Sequence, residues 1–365
     1  MLATQFIPSR MIALYTGRLF LWRSLAVLAA LVLILQTLDL LSESGDVLAY
    51  PGNGQAQLLY YVSLRAPQII ARFLPFSVLL GALITLATLN QNSEVVIFKS
   101  AGISAHQILA PLILVSLGFA LVSLAFNERV LVRANAALDA WQSVDYAHVP
   151  PPSGTVPNVW VRNGDDLIHV DRVTGRGAAT RLEGITIYDR TGGALEGIIR
   201  GQRAYPSGNA WVLDGVRHFE VASGDERTLP RLQFGEGIGA DRFTLADVNP
   251  DEKSLIPLAA AITDLRAAGR PTANLETSFW HKLSGPLSTI LMPLLGSVAA
   301  FGLARTGRLF IRTVIGMGLG FAYFVSDNVG VAMGNFGSYP PFLAAWSPFL
   351  LFFLIGEIVL IRTEE

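Results

Sequence analysis

The chain has 365 residues, 52% of them hydrophobic and 15% charged, and carries a net charge of −1. A soluble domain averages about 25% charged residues, so the deficit points to a membrane protein, and the balanced charge offers no basic surface for nucleic acid. The absence of cysteine removes disulfides, thiolate metal sites and cysteine nucleophiles, and leaves the redox compartment open.

The amino end lacks the form of a cleaved signal peptide, because residues 1–19 are mixed and the apolar run that follows is itself near spanning length. Residues 6–20 interleave Arg10 and Arg18 with Ile7, Met11, Ile12, Leu14 and Leu19. This pattern predicts an amphipathic helix on the inner leaflet that leads into the first span. That span is 20–41, with Arg23 near its start and Asp39 near its end. Residues 42–64 are polar, then more apolar, and contain Pro51, Gly52 and Gly54. Second and third spans are expected at 69–89 and 108–126.

Between them lies residues 92–104, NSEVVIFKSAGIS. Asn92 or Ser93 can cap a helix through a side-chain oxygen. Glu94 suits the positive end of the helix dipole, Lys99 lies near the other end, and Gly102 is a natural stop. Val95, Phe98 and Ala101 fall at helical spacing on one side, with Ile97 beside them. The pattern reads equally as a short capped helix held at a membrane surface and as a turn that merely connects two spans.

From 127 to 281 the character changes, with more Arg, Asp, Glu and Gly and no run long enough to cross a bilayer. Alternation over 159–162, 167–173, 184–189, 195–203, 211–221 and 228–234, broken by turn signals, predicts a β-sandwich or jelly roll. Residues 255–268 are predicted helical, with Gly269 as stop and Pro271 beyond. Three further spans follow, at 283–303, 314–333 and 342–361. The expected architecture is an α+β membrane protein of six transmembrane helices, with a soluble β-sandwich or β-jelly-roll domain inserted between helices three and four, which the resemblance given below implies to be a periplasmic jelly roll. Residues 1–126 hold the amphipathic helix and spans one to three, 127–281 the β domain and its trailing helix, and 282–365 the last three spans.

Arg10, Arg18, Lys99, Arg305, Arg308, Arg312 and Arg362 fall on one side of this arrangement, which places both termini and 92–104 in the cytoplasm. The β domain then lies outside it.

Three lysines, Lys99, Lys253 and Lys282, form no GxxxxGK[ST] phosphate cradle. Five scattered histidines give no metal spacing, no serine sits in a hydrolase elbow, and catalysis is not indicated. His169 and His218, within strands, are expected to be surface or hydrogen-bonded structural residues. Among ionisable groups near the membrane interior, Asp327 is the leading candidate. It lies past the middle of the fifth span, and either lines a polar cavity, pairs with a cation across a helix interface, or is hydrated near the outer face. Asp39, near a span end, is expected to be hydrated at the interface. Arg72 can snorkel to headgroups, and Glu357 is expected to be solvated. Glycines 316, 318 and 320 permit close helix contact.

Six spans with a β domain after the third resemble the lipopolysaccharide-export permeases LptF and LptG. The resemblance rests on Phe73-Leu74-Pro75-Phe76, Leu79-Leu80-Gly81-Ala82-Leu83 and residues 92–102 in the first half. In the second half it rests on Phe279-Trp280-His281-Lys282-Leu283, Pro286-Leu287-Ser288, Phe324-Val325-Ser326-Asp327-Asn328 and Pro340-Pro341. The second-half pieces are more similar to LptG. The ordered combination covers nearly the whole chain, although no single piece is specific.

The resemblance implies a bacterial inner-membrane permease subunit of an ABC-type exporter. Its partners would be a sister LptF-like permease, a cytoplasmic LptB-like ATPase dimer, a single-span LptC-like protein and an LptA-like periplasmic bridge. This chain would bind no cofactor, with ATP and Mg held by the ATPase. Residues Ser93, Glu94, Val95, Phe98, Lys99 and Gly102 correspond to the family's coupling helix, with Glu94 as its acidic contact. Asp39, Arg65, Arg72, Phe73, Phe324 and Asp327 are candidates for the lipid cavity or gate, since the first and fifth spans flank lateral openings in the family. Relatives often carry lysines after the first span, where this chain has Leu40-Leu41-Ser42-Glu43-Ser44. Either Arg65 or Arg72 meets the lipid phosphates instead, or the cargo's charge differs.

Acyl chains cannot cross water unaided, since each exposed CH₂ costs about 0.8 kcal/mol. Val159, Val161, Ile168, Val170, Ile185 and Ile187 either supply an apolar path through the β domain or fill an ordinary core. Two rivals remain: a secondary transporter driven by ions through Asp327, and a scaffold whose β domain binds envelope proteins.

Overall fold

A computed structural model describes residues 8–148, 156–175, 179–191, 194–208, 210–240, 243, 248–267, 270–301 and 309–364. Arg305 and Arg308 of the charge count, Gly269 as helix stop, and Gly192, Gly193 and Asn209 of the predicted turns lie outside them. The chain divides into two compact units, one formed by 1–149, 250–262 and 272–365, the other by 150–249 and 263–271.

The first unit is helical. Helix α1 is Arg10–Ala49, α2 is Gln55–Gln91, α3 is Glu94–Ser100 and α4 is Ala105–Phe126. A π-turn, Asn127–Leu131, carries α4 into α5, Val132–Gln142. After the strands come a 3₁₀ turn, Pro250–Glu252, and helices α6 (Leu255–Ala267), α7 (Ala273–Phe301), α8 (Leu309–Asn335) and α9 (Pro341–Glu364).

Five helical stretches among the described residues are long and apolar enough to cross a membrane: Arg10–Ala49, Gln55–Gln91, Ala105–Gln142, Val314–Asn335 and Pro341–Arg362. The predicted fourth span, 283–303, overlaps α7 as far as Phe301, the last two positions lying outside the described residues; α7 contains the interior prolines Pro286 and Pro293. The predicted amphipathic segment and first span are one helix of 40 residues, about 60 Å long. Nothing in residues 10–49 breaks a helix, and the first stop is Pro51-Gly52, where Gly52 takes φ 104°.

Helices α2, α4, α7, α8 and α9 share one apolar core with the start of α1, built on Phe20, Val78, Leu86, Leu109, Leu295, Tyr323 and Phe352. Lipid is as apolar as leucine, so close backbone approach replaces hydrophobic exclusion as the packing force. At Gly81 a Cβ would come within 2.2 Å of Ser24 Oγ and 2.8 Å of its Cα. Of the glycines singled out on α8, Gly320 lies under Leu79 of α2, whereas a Cβ on Gly318 would meet nothing within 4 Å. A smaller core at the other end of α1 joins Val47, Tyr61, Leu138, Trp141 and Tyr146.

The second unit holds a six-stranded antiparallel sheet: β1 Val156–Asn163, β2 Asp166–Thr174, β3 Arg181–Thr191, β4 Ala194–Ser207, β5 Ala210–Glu220 and β6 Glu226–Phe234. All six predicted strands are present. Their order is β1-β2-β3-β4-β5-β6, so every described neighbour in the sheet is a neighbour in sequence. The described strands thus form an up-and-down meander, and the crossing connections between two sheets that a jelly roll has are not seen among the described residues. Alternation identifies strands but carries no information on which strands pair.

One face packs Val159, Val161, Ile168, Val170, Leu182, Ile185, Ile187, Leu213 and Val216 into a core. Trp211 closes it, its Nε1 donating to the Ile238 carbonyl at 2.9 Å and its ring edge-on to Phe243. Across the other face, register aligns Arg172, Glu183, Arg203, Asp214 and Arg231 on five successive strands. Ion pairs close Arg172–Glu183 at 3.3 Å and Arg231–Asp214 at 3.0 Å. Alternating charge across a sheet penalises slippage, because a shift of one residue sends each charged side chain to the apolar face.

Gly81→Ala is expected to destabilise the helical unit by about 1–3 kcal/mol, the cost of overpacking. Gly318→Ala should be neutral in the same thermal-unfolding measurement in detergent.

Candidate functional site

The start of α1, the end of α2, α3, the start of α4 and the end of α9 meet at one end of the helical unit. There α3 is a seven-residue helix. Its carboxyl end closes as expected: Gly102 adopts φ 80°, its N–H donates to Lys99 O at 3.0 Å, and Ile103 N–H donates to Phe98 O at 3.0 Å. Its amino end differs from the prediction. Ser93 takes a left-handed φ of 60° and makes no side-chain cap bond. Glu94 is held from outside the helix, accepting from Tyr15 Oη and from Asn92 Nδ2, each at 3.2 Å.

Of the stripe read from the spacing, Val95 and Phe98 share the inward side, whereas Ala101, past the helix end, is exposed. Val95 is buried and Phe98 packs on the bundle core, so these two anchor the helix. Val96 and Ile97 are 62% and 60% exposed, and Lys99 and Ala101 are exposed with them. A seven-residue helix needs only two inward residues, and helical spacing cannot say which stripe is the inward one. On the same end, His106 Nε2 lies 3.3 Å from Glu357 Oε2 and ties α4 to α9.

At the opposite end, Asp39 of α1 is paired rather than hydrated alone. Its carboxylate accepts from Arg65 Nε at 3.0 and 3.1 Å, from Arg65 Nη2 at 2.9 Å and from Tyr61 Oη at 2.7 Å. Arg65 Nη1 donates to Gln68 Oε1 at 2.5 Å, Gln68 Nε2 to Asn135 Oδ1 at 2.9 Å, and Asn135 Nδ2 to the Asp251 carbonyl at 3.1 Å. The chain of bonds thus runs from α1 through α2 and α5 to the turn Pro250–Glu252. Nearby, Tyr146 donates to Glu43 at 3.0 Å. Burial raises the Tyr146 phenol above its ordinary pKa, Gln142 donating to its oxygen opposes this, and the Glu43 carboxylate adds to it.

Gln68, Asn135 and Asp251 also line a cavity of about 520 Å³, which α2, α5, α7 and α8 enclose. His281 Nε2 and Asp327 Oδ2 meet on its wall at 3.0 Å, linking α7 to α8. Arg72 reaches the cavity as an exposed side chain, and Lys282 lines it from α7. Phe76 faces Phe324 edge-on at 5.1 Å, with Phe73 beside Phe76 at 6.2 Å. Buried Thr289 Oγ1, on the same wall, has no hydrogen-bond partner.

The structure therefore brings Arg72, Phe324 and Asp327 to one cavity, and joins Asp39 and Arg65 to each other. The six β-domain candidates all lie buried on one face of the sheet. His169 is hydrogen-bonded as expected, with Nε2 2.8 Å from Asn158 Oδ1. Sequence reasoning missed Tyr15, Tyr61, Gln68, Asn135 and His281 as partners, because each meets its group across a helix interface. His281 and Asp327 are 46 positions apart, with no local pattern to join them.

Residues 14–362 match the family described as lipopolysaccharide export system permease LptF/LptG. The chain is 24% identical over 345 residues to the lipopolysaccharide export system permease protein LptG of Escherichia coli (strain K12), covering 93% of this chain and 94% of that one. It is 27% identical over 322 residues to the corresponding LptG protein of Haemophilus influenzae, covering 85% and 87%.

Asp327→Ala should leave the His281 ring nitrogen unpaired and lower stability by about 1–3 kcal/mol. Asp327→Asn keeps an acceptor and should lose less than half as much in thermal unfolding.

Proposed function

The chain belongs to the LptF/LptG family of lipopolysaccharide export permeases, a multi-pass inner-membrane subunit of that export system, and from this premise we propose how it works. It crosses the membrane six times, with α7 as the fourth span. Both termini and α3 face the cytoplasm, and the sheet unit lies in the periplasm. It extracts lipopolysaccharide sideways from the inner membrane beside a sister permease, and passes it to a periplasmic bridge of jelly-roll proteins. A separate cytoplasmic ATPase dimer binds ATP and Mg and supplies the energy.

One observation carries this reading. The apolar windows of α1 and α8 are only 11% and 17% buried, against 56% for α2. A helix that is apolar all round and packed on so little of its surface needs lipid or a second chain against it. Two such helices on one subunit suit a lateral opening, closed by a sister permease and used by a lipid. A small-solute transporter complete in one chain has no use for them.

Helix α3 suits the ATPase contact. Val95 and Phe98 fasten it to the bundle, while Val96 and Ile97 present an apolar patch beside exposed Lys99. Movement imposed on α3 passes directly to α2 and α4, and through Glu94 and Tyr15 to α1. In the β unit, Val159, Val161, Ile168, Val170, Ile185 and Ile187 form the apolar lining of the lipid path.

Ile97→Asp should reduce copurification of the ATPase by about tenfold, the scale of one buried aliphatic contact. Glu94→Arg should impair ATPase binding or coupling while the protein still inserts. Normal assembly and transport in both variants would overturn the assignment of α3, and absence of any lipid crosslink to α1 or α8 would overturn the permease reading.

A further inference from the structure

Helix α1 is buried at points near its two ends and only half-buried between them, where one side lies along α2 and the other is exposed. Toward its start, Phe20 is buried, Ser24 abuts Gly81, and Arg23 Nη1 donates to the Ile84 carbonyl at 3.0 Å. Toward its end, Val47 enters the second small core. From 25 to 46 no residue is buried. Within that stretch, Asp39 accepts from Tyr61 and Arg65 on α2, and Glu43 accepts from Tyr146 in the turn after α5.

The seam that Asp39 closes is not fully satisfied. Both amide atoms of Gln36, one turn away, are enclosed with no hydrogen-bond partner among the described residues. An enclosed amide without partners opposes the closed arrangement. The ion pair favours it. A polar clasp set against an unsatisfied neighbour is the kind of element that has two arrangements of similar free energy.

The clasp is wired to the cavity. Arg65 engages Asp39 with Nε and Nη2, and Gln68 with Nη1. Gln68 and Asn135 spend their carbonyl oxygens on this chain of bonds, and both side chains line the cavity. A ligand that hydrogen-bonds to either amide competes with the chain itself.

We propose that the bonds from Asp39 through Arg65, Gln68 and Asn135 to the Asp251 carbonyl form a cavity-sensing clasp on α1. When the hydroxyl- and phosphate-bearing headgroup of a lipid occupies the cavity, it draws Gln68 away from Arg65. The hold on Asp39 weakens, Gln36 gains solvent or headgroup partners, and the half-buried middle of α1 shifts along α2. The gate is thereby linked to occupancy, and by reciprocity an open α1 strengthens headgroup binding. Arg65 is a positioning residue in this scheme, already committed to a carboxylate. The proposal rests on the permease reading for the identity of the ligand alone.

The chain has no cysteine, so labels can be placed without removing any from it. Leu33→Cys on α1 and Val325→Cys on α8, both exposed, are spin-labelled in the complete complex in lipid nanodiscs, with the partner chains cysteine-free. Distances are read with and without added lipopolysaccharide. The unmodified complex should show one dominant distance without lipopolysaccharide and a second with it. Gln68→Leu should raise the second population about fivefold before any lipopolysaccharide is added, the effect of one lost hydrogen bond. Arg65→Lys keeps the charge but cannot hold Asp39 and Gln68 together, and should do the same if Gln68→Leu does not assemble. If both variants keep the distance distribution of the unmodified complex, the clasp is wrong. If lipopolysaccharide never associates with the unmodified complex, the permease reading fails, while the lipid-free comparison still decides the clasp.

Discussion

A charged side chain beside a bilayer has to find a partner or water, and the helical unit is arranged around where its carboxylates find theirs. Asp39 reaches Arg65 and Tyr61 on α2, Asp327 reaches His281 on α7, and Glu357 reaches His106 on α4. Each pair crosses a helix interface, so each fixes a rotation and a depth as well as a contact. Exposed pairs of this kind contribute little to stability. At the edge of lipid, where an unpaired carboxylate is far more costly, the same pairs act mainly as specifiers.

The apolar contacts divide the helices differently. α2 lies at the centre, α7 touches its neighbours on several sides, and α1 and α8 sit outside with most of their surface bare. Glycine makes the central contacts possible, since Gly81 and Gly320 bring α2 against α1 and α8 more closely than any side chain would allow. The peripheral helices therefore each pack on one side and leave the other side exposed. On the function proposed above, that division suits a subunit working beside another permease, with lipid passing between them. A permease complete in one chain would bury α1 and α8 on its own.

The sheet unit obeys other rules. It has one apolar face, closed by Trp211 and Phe243. Its other face carries the alternating charges of Arg172, Glu183, Arg203, Asp214 and Arg231, which pin its register. Both edge strands contain a proline, Pro157 in β1 and Pro230 in β6, and β1 also carries Asn158 at φ 54°. Such irregularities blunt an edge against indiscriminate pairing.

The sequence alone was enough for the membrane class, the presence of the apolar helices, the six strands, the Gly102 stop and the family resemblance. Those properties are local: a run of apolar residues, a period of two, or a glycine where φ must be positive reports itself within a few positions. Two local readings failed where competing local options were nearly equal. Ser93 went left-handed instead of capping α3, and Ala101 lies exposed beyond the helix end rather than buried with Val95 and Phe98. The partners of Asp39, Glu94 and Asp327 were decided only by tertiary structure, as were the strand order and the cavity. A hydrogen bond between helices depends on rotation, depth and crossing point together, and none of these is written in the spacing of residues along a single chain.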